Sequence, residues 1–342
     1  MSRTAAAGGE VVAVTRDGLC CARGGFHVDP WRPVATAVVT HAHADHARPG
    51  SAVYHCAEPG AGLLRRRLGP DAAIHGHAFG EPFRLGDARV SLHPAGHVLG
   101  SAQVRIEVDG EVWVVSGDYK RDADPSCEPF EVVPCDAFIT EATFALPIYR
   151  WDPFDAVMGE VIRWWDANAA AGRASVLFGY TLGKAQRLLA GIAERAPGRA
   201  VYTHGAVEPL VRAYRERGVP LPPTVPVAER AKGADFRGEL IVAPPSAFGS
   251  PWLRRFGDDA ATGFASGWMR VRGHRRRRGY ERGFVVSDHA DWPGLLRTVA
   301  ETGARRVFAT HGYADALARY LSEERGVPAA RLETLYGGEV ED

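Results

Sequence analysis

His41-Ala42-His43-Ala44-Asp45-His46 places three imidazoles and a carboxylate within six positions, directly after the apolar run Ala35 to Thr40. Such a cluster at the end of a buried strand predicts a hydrolytic metal centre rather than a solvated loop. Polar side chains crowded there carry a heavy desolvation cost unless a cation or hydrogen bonds satisfy them. Three later fragments supply isolated candidates at the ends of predicted strands: His97 in Pro94-Ala95-Gly96-His97, Asp118 in Ser116-Gly117-Asp118, and His311 in Ala309-Thr310-His311-Gly312. Seven candidate ligands, rich in His and with two carboxylates, fit two borderline-soft divalent ions with an open position better than one closed structural site.

The elements that must position these residues follow two patterns. Up to about residue 145 the chain reads as short strands bounded by Gly, Pro and Asp: Val11 to Val14, Ala35 to Thr40, Ala52 to Cys56, Arg89 to His93, Ala102 to Val108, Val112 to Ser116 and Ala137 to Thr140. Asp109-Gly110 is a hairpin turn between two of them, and Ala61 to Leu68 is a helix. From Pro147 a helix over Asp155 to Ala171 is followed by strand–helix units, Ser175 to Phe178 into Gly183 to Arg195 and Ala200 to Tyr202 into Glu208 to Arg217. That alternation predicts a small parallel sheet inserted into the first architecture. The earlier style returns with Phe284 to Ser287, a helix over Pro293 to Thr302, a strand over Arg306 to Thr310 and a last helix over Tyr313 to Arg325. The predicted division is a discontinuous outer domain, 1–146 with 284–342, and an inserted domain, 147–283.

The 342 residues are long enough for two cores, and 46% hydrophobic with 24% charged residues is an ordinary globular composition. Lys+Arg and Asp+Glu both number 41, so net charge does not advertise a polyanionic partner and local charge must be read instead. Five cysteines without a Cys-x-x-Cys pair predict no disulfide framework and a reducing, cytoplasmic compartment. Neither the start of the chain nor any apolar run predicts secretion or membrane spanning.

The order His-x-His-x-Asp-His, Gly-His, Gly-Asp resembles the metallo-β-lactamase superfamily, an αββα sandwich with two zinc ions at its edge. The resemblance implies that His41, His43 and His97 hold one zinc, that Asp45, His46 and His311 hold the other, and that Asp118 bridges both. It makes Asp29, in Val28-Asp29-Pro30, a supporting residue, although a turn before Pro30 explains it equally well. Thr140-Glu141-Ala142-Thr143-Phe144 and Ser287-Asp288-His289-Ala290-Asp291 resemble motifs of the β-CASP nucleases, in which an inserted parallel α/β domain covers the zinc cleft. There Glu141 would orient His289, and His289 would protonate the leaving oxygen. Taken alone, Glu141 reads equally as a helix cap or a surface contact. Phe178-Gly179-Tyr180-Thr181-Leu182-Gly183-Lys184-Ala185-Gln186 and Ser266-Gly267-Trp268-Met269 bring the chain nearest to bacterial exonucleases encoded beside ATP-dependent DNA ligases. That resemblance covers about Val11 to Gly338.

It implies a phosphodiesterase that uses two zinc ions, or manganese, for in-line attack of water on DNA. The products carry 5′-phosphates and 3′-hydroxyls, and the enzyme works in association with a DNA ligase and a helicase. The alternative is an RNA-processing nuclease of the same branch, for which His311 as a ligand is the more typical. Lys184 does not complete a nucleotide-binding P-loop, because Gly179 is one residue too near and Ala185 replaces the hydroxyl residue, but at a helix start it could grip a backbone phosphate. Arg270, Arg272, Arg275, Arg276, Arg277 and Arg278, interleaved with Trp268 and Tyr280, lead directly into His289. An Arg run is ordinarily a solvated face; placed there it is read as a track for a nucleic-acid backbone, with Trp268 or Tyr280 stacking on a base. His204 repeats the Thr-His-Gly context of His311 but is read as a turn. His75 and His77 are spaced like ligands yet lie in a Gly-bounded connection.

Overall fold

The computed structural model describes residues 10–271 and 279–336. The first sheet runs β1 (Ala13–Thr15), β2 (Gly18–Cys21), β3 (Phe26–Val28), β4 (Thr36–Val38), β5 (Val53–Ala57), β6 (Ile74–His77), antiparallel up to β3 and parallel from there on. The second begins β7 (Phe83–Leu85), β8 (Ala88–Pro94), β9 (Ala102–Val108), β10 (Glu111–Val115), an antiparallel series to which β11 (Ala137–Thr140) adds in parallel. Asp109 (φ 52°) and Gly110 (φ 84°) form the predicted turn between β9 and β10, both in the left-handed region that such a tight hairpin requires.

A third sheet of entirely parallel strands follows: β12 (Ser175–Phe178), β13 (Val201–Thr203), β14 (Thr224–Pro226), β15 (Leu240–Ala243), β16 (Ala261–Ala265) and β17 (Arg282–Phe284), in the order β14-β13-β15-β12-β16-β17. The chain then returns to the second sheet as β18 (Arg306–Ala309), beside β11, and β19 (Ala329–Arg331). Phe284, expected to open that return, instead pairs with Ala265 as the end of the third sheet.

The two flanking sheets face each other across one core: Leu19, Phe26, Val28 and Val38 meet Val90, Leu92, Val104, Ile106, Trp113 and Ile139. Burying each such side chain contributes about 1.5–3 kcal/mol. The outer face of the first sheet is covered by α1 (Ala61–Leu68) through Leu64 against Tyr54 and Cys56. α5 (Trp292–Thr302) and α6 (Ala314–Glu324) cover the second, with Leu295, Val299 and Leu317 packed on Phe138 and Val307. Against the third sheet lie α2 (Phe154–Ala170), α3 (Lys184–Arg195) and α4 (Glu208–Glu216). Its central strands, Ser-Val-Leu-Phe and Leu-Ile-Val-Ala, are buried at every position because both faces are packed, and so they read as apolar runs rather than alternating ones. Among the described residues no helix is long and apolar enough to cross a membrane.

Candidate metal centre

The candidate ligands leave the ends of strands in both facing sheets, β4 in the first and β8, β10, β11 and β18 in the second. Thr40 to His46 follow β4, His97 follows β8, Asp118 follows β10, Glu141 follows β11 and His311 follows β18. The first and third of these loops touch at Gly117 (φ 56°), where a Cβ would lie 2.7 Å from the Thr40 Oγ1. Only glycine allows Asp118 to be brought so close to the histidine loop.

Second partners fix which nitrogen of each imidazole faces inward. Asp29 accepts from the Thr40 N–H (2.7 Å), the Thr40 hydroxyl (2.6 Å) and His46 Nδ1 (2.7 Å). The single Thr40 proton is thus committed, so the 3.0 Å contact to His41 must be donated by His41 Nδ1–H. In the same way His311 Nδ1 donates to Thr310 Oγ1 (3.0 Å), whose own proton goes to the Thr140 carbonyl (3.2 Å). His97 Nδ1 donates to the Asp288 carbonyl (2.9 Å), and His43 Nε2 to that of Leu182 (3.2 Å). What remains inward are lone pairs: His43 Nδ1 lies 3.1 Å from both His41 Nε2 and His97 Nε2. Three lone pairs aimed at one point repel unless a cation sits among them. The ligand atoms of His41, His43, His97 and Asp118 all lie within 4.8 Å of one another.

Asp118 stands between this group and a second. Its Oδ2 is 3.6 Å from His41 Nε2, 3.8 Å from His97 Nε2 and 3.5 Å from His46 Nε2, and its Oδ1 is 3.4 Å from His311 Nε2. Asp45 lies 3.7 Å from His46 Nε2. Among the described residues the buried His46 Nε2 and Asp118 Oδ1 have no hydrogen-bond partner, an arrangement costly without a ligand for them. The electrostatics agree. Burial, reinforced by neighbouring imidazoles, drives His41 well below the ordinary range and His97 down to about 3, leaving neutral ligands. Burial opposes charge on His46 as well, yet Asp118, Asp45 and Asp29 outweigh it and push His46 up to about 10. The pocket therefore demands positive charge, and its donor set of imidazole nitrogen and carboxylate oxygen suits a borderline-soft divalent ion.

Beside it, His289 Nδ1 lies 2.9 Å from Glu141 Oε2, both side chains buried. Burial disfavours the charged imidazole, but Glu141, with Asp118 and Asp288, prevails and lifts His289 to about 10. The other Glu141 oxygen accepts from the Tyr119 N–H (2.7 Å), and the Tyr119 carbonyl accepts from the Ala290 N–H (2.6 Å). Residue 119 thus ties Asp118 to both members of the pair. Asp29 (φ 43°) and His311 (φ 22°) hold backbone conformations that cost energy in a non-glycine residue, strain of the kind that collects at functional sites.

Several residues stand apart from where sequence placed them. Lys184, expected to offer its ammonium to a phosphate, is buried with Nζ 2.5 Å from Asp288 Oδ1 and 3.2 Å from the Val286 carbonyl. Trp268 is half-buried on Phe144 (ring centroids 4.7 Å apart), and Phe144 in turn meets His289 at 5.9 Å. Tyr280 packs inside the third sheet's aromatic cluster with Phe248 and Phe264. Arg270 pairs with Asp152 at 3.2 Å, while Arg272, Arg275, Arg276, Arg277 and Arg278 lie outside the described residues. His204 accepts from the Ala206 N–H (3.0 Å), as a turn residue does.

Sequence reasoning missed Thr40 and Thr310, although a Thr immediately before His41 and before His311 was a readable signal. It also missed Asp288 as the partner of His97, and Arg187, whose buried guanidinium joins Asp124 (3.1 Å) to the Ser287 carbonyl (2.7 Å). Tyr336 was missed as well; it stacks on His46 at 4.9 Å.

No family model matches the chain. It is 33% identical over 308 residues to a "Probable DNA ligase" of Opitutus terrae, a match covering 89% of this chain and 29% of that protein. It is 37% identical over 71 residues to the endoribonuclease ysh1 of Aspergillus fumigatus, covering 20% of this chain and 8% of the relative. With the endoribonuclease YSH1 of Gibberella zeae it shares 32% identity over 110 residues, 31% of this chain and 13% of the relative. The chain thus spans less than a third of the length of these relatives. Among solved structures it shares its fold with a protein of unknown function from Enterococcus faecalis V583, at a TM-score of 0.60 and 13% identity over 88% of this chain and 80% of that one. The chain is therefore a mixed α/β protein, related in sequence to a ligase-named polypeptide and over shorter stretches to endoribonucleases, with buried His and Asp groups able to hold a metal ion.

Proposed function

We propose that the chain is a zinc-dependent phosphodiesterase that cleaves DNA, an exonuclease of DNA repair leaving 5′-phosphate and 3′-hydroxyl ends. In this reading the two facing sheets are a metallo-β-lactamase-like body and the third sheet a β-CASP-like insertion. The observation that carries it is the adjacency of convergent metal-binding lone pairs to a buried imidazole held by its own carboxylate. His41, His43 and His97 would hold one ion, Asp45, His46 and His311 the other, with Asp118 between them. Such ions, when bound, supply charge neutralisation at phosphate oxygens and a nucleophile at neutral pH.

The chain's own residues do the rest. Glu141 accepts the Nδ1–H of His289 in a hydrogen bond, which leaves Nε2–H as the donor, and its carboxylate favours the protonated imidazole. A sugar oxygen is a poor leaving group and needs this proton as the P–O bond breaks. Asp29, Thr40 and Thr310 hold the ligating rings in single tautomers, so the site is ordered before substrate arrives.

DNA as substrate is supported by similarity to the ligase-named relative over most of the chain. RNA processing is the second reading, favoured by His311 beside Asp118 and by the endoribonuclease matches. Incubation with end-labelled DNA and RNA of one sequence, in zinc, manganese or chelator, decides between them. DNA shortened from its ends with metal and untouched in chelator supports the proposal; preferential loss of RNA supports the second reading; neither, with metal bound, removes both.

A further inference from the structure

Three further imidazoles gather on the first sheet, away from the ligands of the proposed centre. His55 on β5 is the direct partner of His75 on β6, and His77 lies two residues on, so the three side chains share one face. His75 and His77, which sequence placed in a connection, are strand residues. His55 Nδ1 and His77 Nε2 share a hydrogen bond of 2.9 Å, close to the 3.1 Å that separates His43 from His41 and from His97. Nitrogens so spaced, each about 2.0–2.1 Å from one ion, subtend roughly a right angle there, the cis angle of a tetragonal Cu2+ or Ni2+ site. The His75 ring is stacked beside that of His55, centroids 5.2 Å apart and planes within 22°, so the exposed His75 side chain has to turn to bring a nitrogen to the pair.

Burial and the neighbouring imidazoles lower His55 to about 4 and also lower His77, so both are neutral donors near pH 7. Glu81 is the carboxylate whose charge reaches His77. Phe83 of β7 stacks on His77 at 3.6 Å and walls the group on the side of the second sheet, while exposed His75 leaves the other side open to solvent.

We propose that His55, His75 and His77 form a peripheral site for a borderline-soft divalent ion such as Cu2+, Ni2+ or Zn2+, which ties the edge strand β6 to β5. Imidazole nitrogens presented in this way select such ions over Mg2+ or Ca2+, which prefer oxygen.

The test titrates Cu2+ into full-length protein whose Asp118 centre is already saturated with zinc, following heat, zinc release and the nitrogen hyperfine pattern of bound Cu2+. The wild type takes up one further equivalent without releasing zinc and shows imidazole nitrogens. Loss of an outer partner alone costs a metal site about 10–100-fold, so His75→Ala/His77→Ala weakens this uptake by at least about tenfold, with zinc content and DNA cleavage unchanged. Should the double variant fail to fold, His75→Ala at its exposed position gives the same direction with an unaltered circular dichroism spectrum. Absence of a further equivalent in the wild type overturns the proposal, as does uptake matched by zinc release or equal in the variants.

Discussion

Lys184 Nζ lies 2.5 Å from Asp288 Oδ1, a charge pair with both side chains buried. It bolts α3, which packs on the third sheet, to the segment that carries His289, and the carbonyl of the same Asp288 accepts the Nδ1 proton of His97. Gly183 makes this approach feasible: at φ 85° it sits where a Cβ would fall 2.4 Å from Val98, the neighbour of His97. The Gly-Lys-Ala-Gln segment therefore reaches the candidate centre through packing and charge rather than by holding phosphate.

Removing one partner of a buried ion pair strands the other, at a cost of about 3–5 kcal/mol. Lys184→Met is expected to lose stability of that order in urea unfolding, and Lys184→Met/Asp288→Leu to recover part of it. If Lys184→Met unfolds like the wild type but binds DNA with a flatter salt dependence, Lys184 holds phosphate after all.

Metal content is the next expectation. The seven candidate ligands, Asp118 among them, predict about two ions per chain in the centre, with the second lost first in His311→Ala. Elemental analysis of the His75→Ala/His77→Ala background, which removes the peripheral group, gives the count. At most one ion in that folded protein would contradict the binuclear assignment.

The pH dependence follows from Glu141. In the proposed role His289 acts as the protonated form, so cleavage should be lost as pH rises through its pKa; the Glu141 carboxylate raises that pKa, and removing the charge lowers it. Glu141→Gln should move the alkaline limb of kcat/KM to lower pH and leave zinc content intact. Cations held beside Asp118 would act in the same downward direction. A limb that stays in place in Glu141→Gln separates it from His289.

For the arginines before His289, replacing Arg275 to Arg278 with Ser should weaken DNA binding alike at all sequences. The salt dependence should flatten by about one slope unit per phosphate contact removed. Equal affinity and slope in variant and wild type would return the stretch to a solvated face.

Much of this site was legible because metal ligands follow strand ends and their residue types are few. His41 and His43 were read from their spacing and His97 and Asp118 from their places at strand ends, and the structure brings their ligand atoms together. Helical apolar spacing put a helix at Asp155 to Ala171, within a residue of Phe154–Ala170 at each end, and the strand Ser175–Phe178 was read at its observed bounds. Legibility failed where long-range packing decides the outcome. Ile74–His77 has a glycine and two histidines, a poor strand by propensity, and becomes one by pairing with β5. Lys184 looked exposed because its counter-charge lies 104 residues away. The Phe284 boundary was misplaced because Phe284 to Ser287 reads as apolar strand throughout, while only Arg282–Phe284 finds a partner strand, in the third sheet.

The central claim is that one buried imidazole supplies the proton while the ligands around Asp118 serve the nucleophile, and the leaving group separates the two. A sugar alkoxide needs protonation, whereas a nitrophenolate departs without it. The direct measurement compares His289→Ala with wild type on DNA and on a nitrophenyl phosphodiester, with zinc content determined alongside. DNA cleavage should fall by about 10²–10⁴-fold, the usual worth of general acid assistance, while zinc and most nitrophenyl ester activity remain. Equal loss on both substrates with zinc retained, or loss of zinc, would contradict the assignment and move His289 to substrate positioning or to the metal itself.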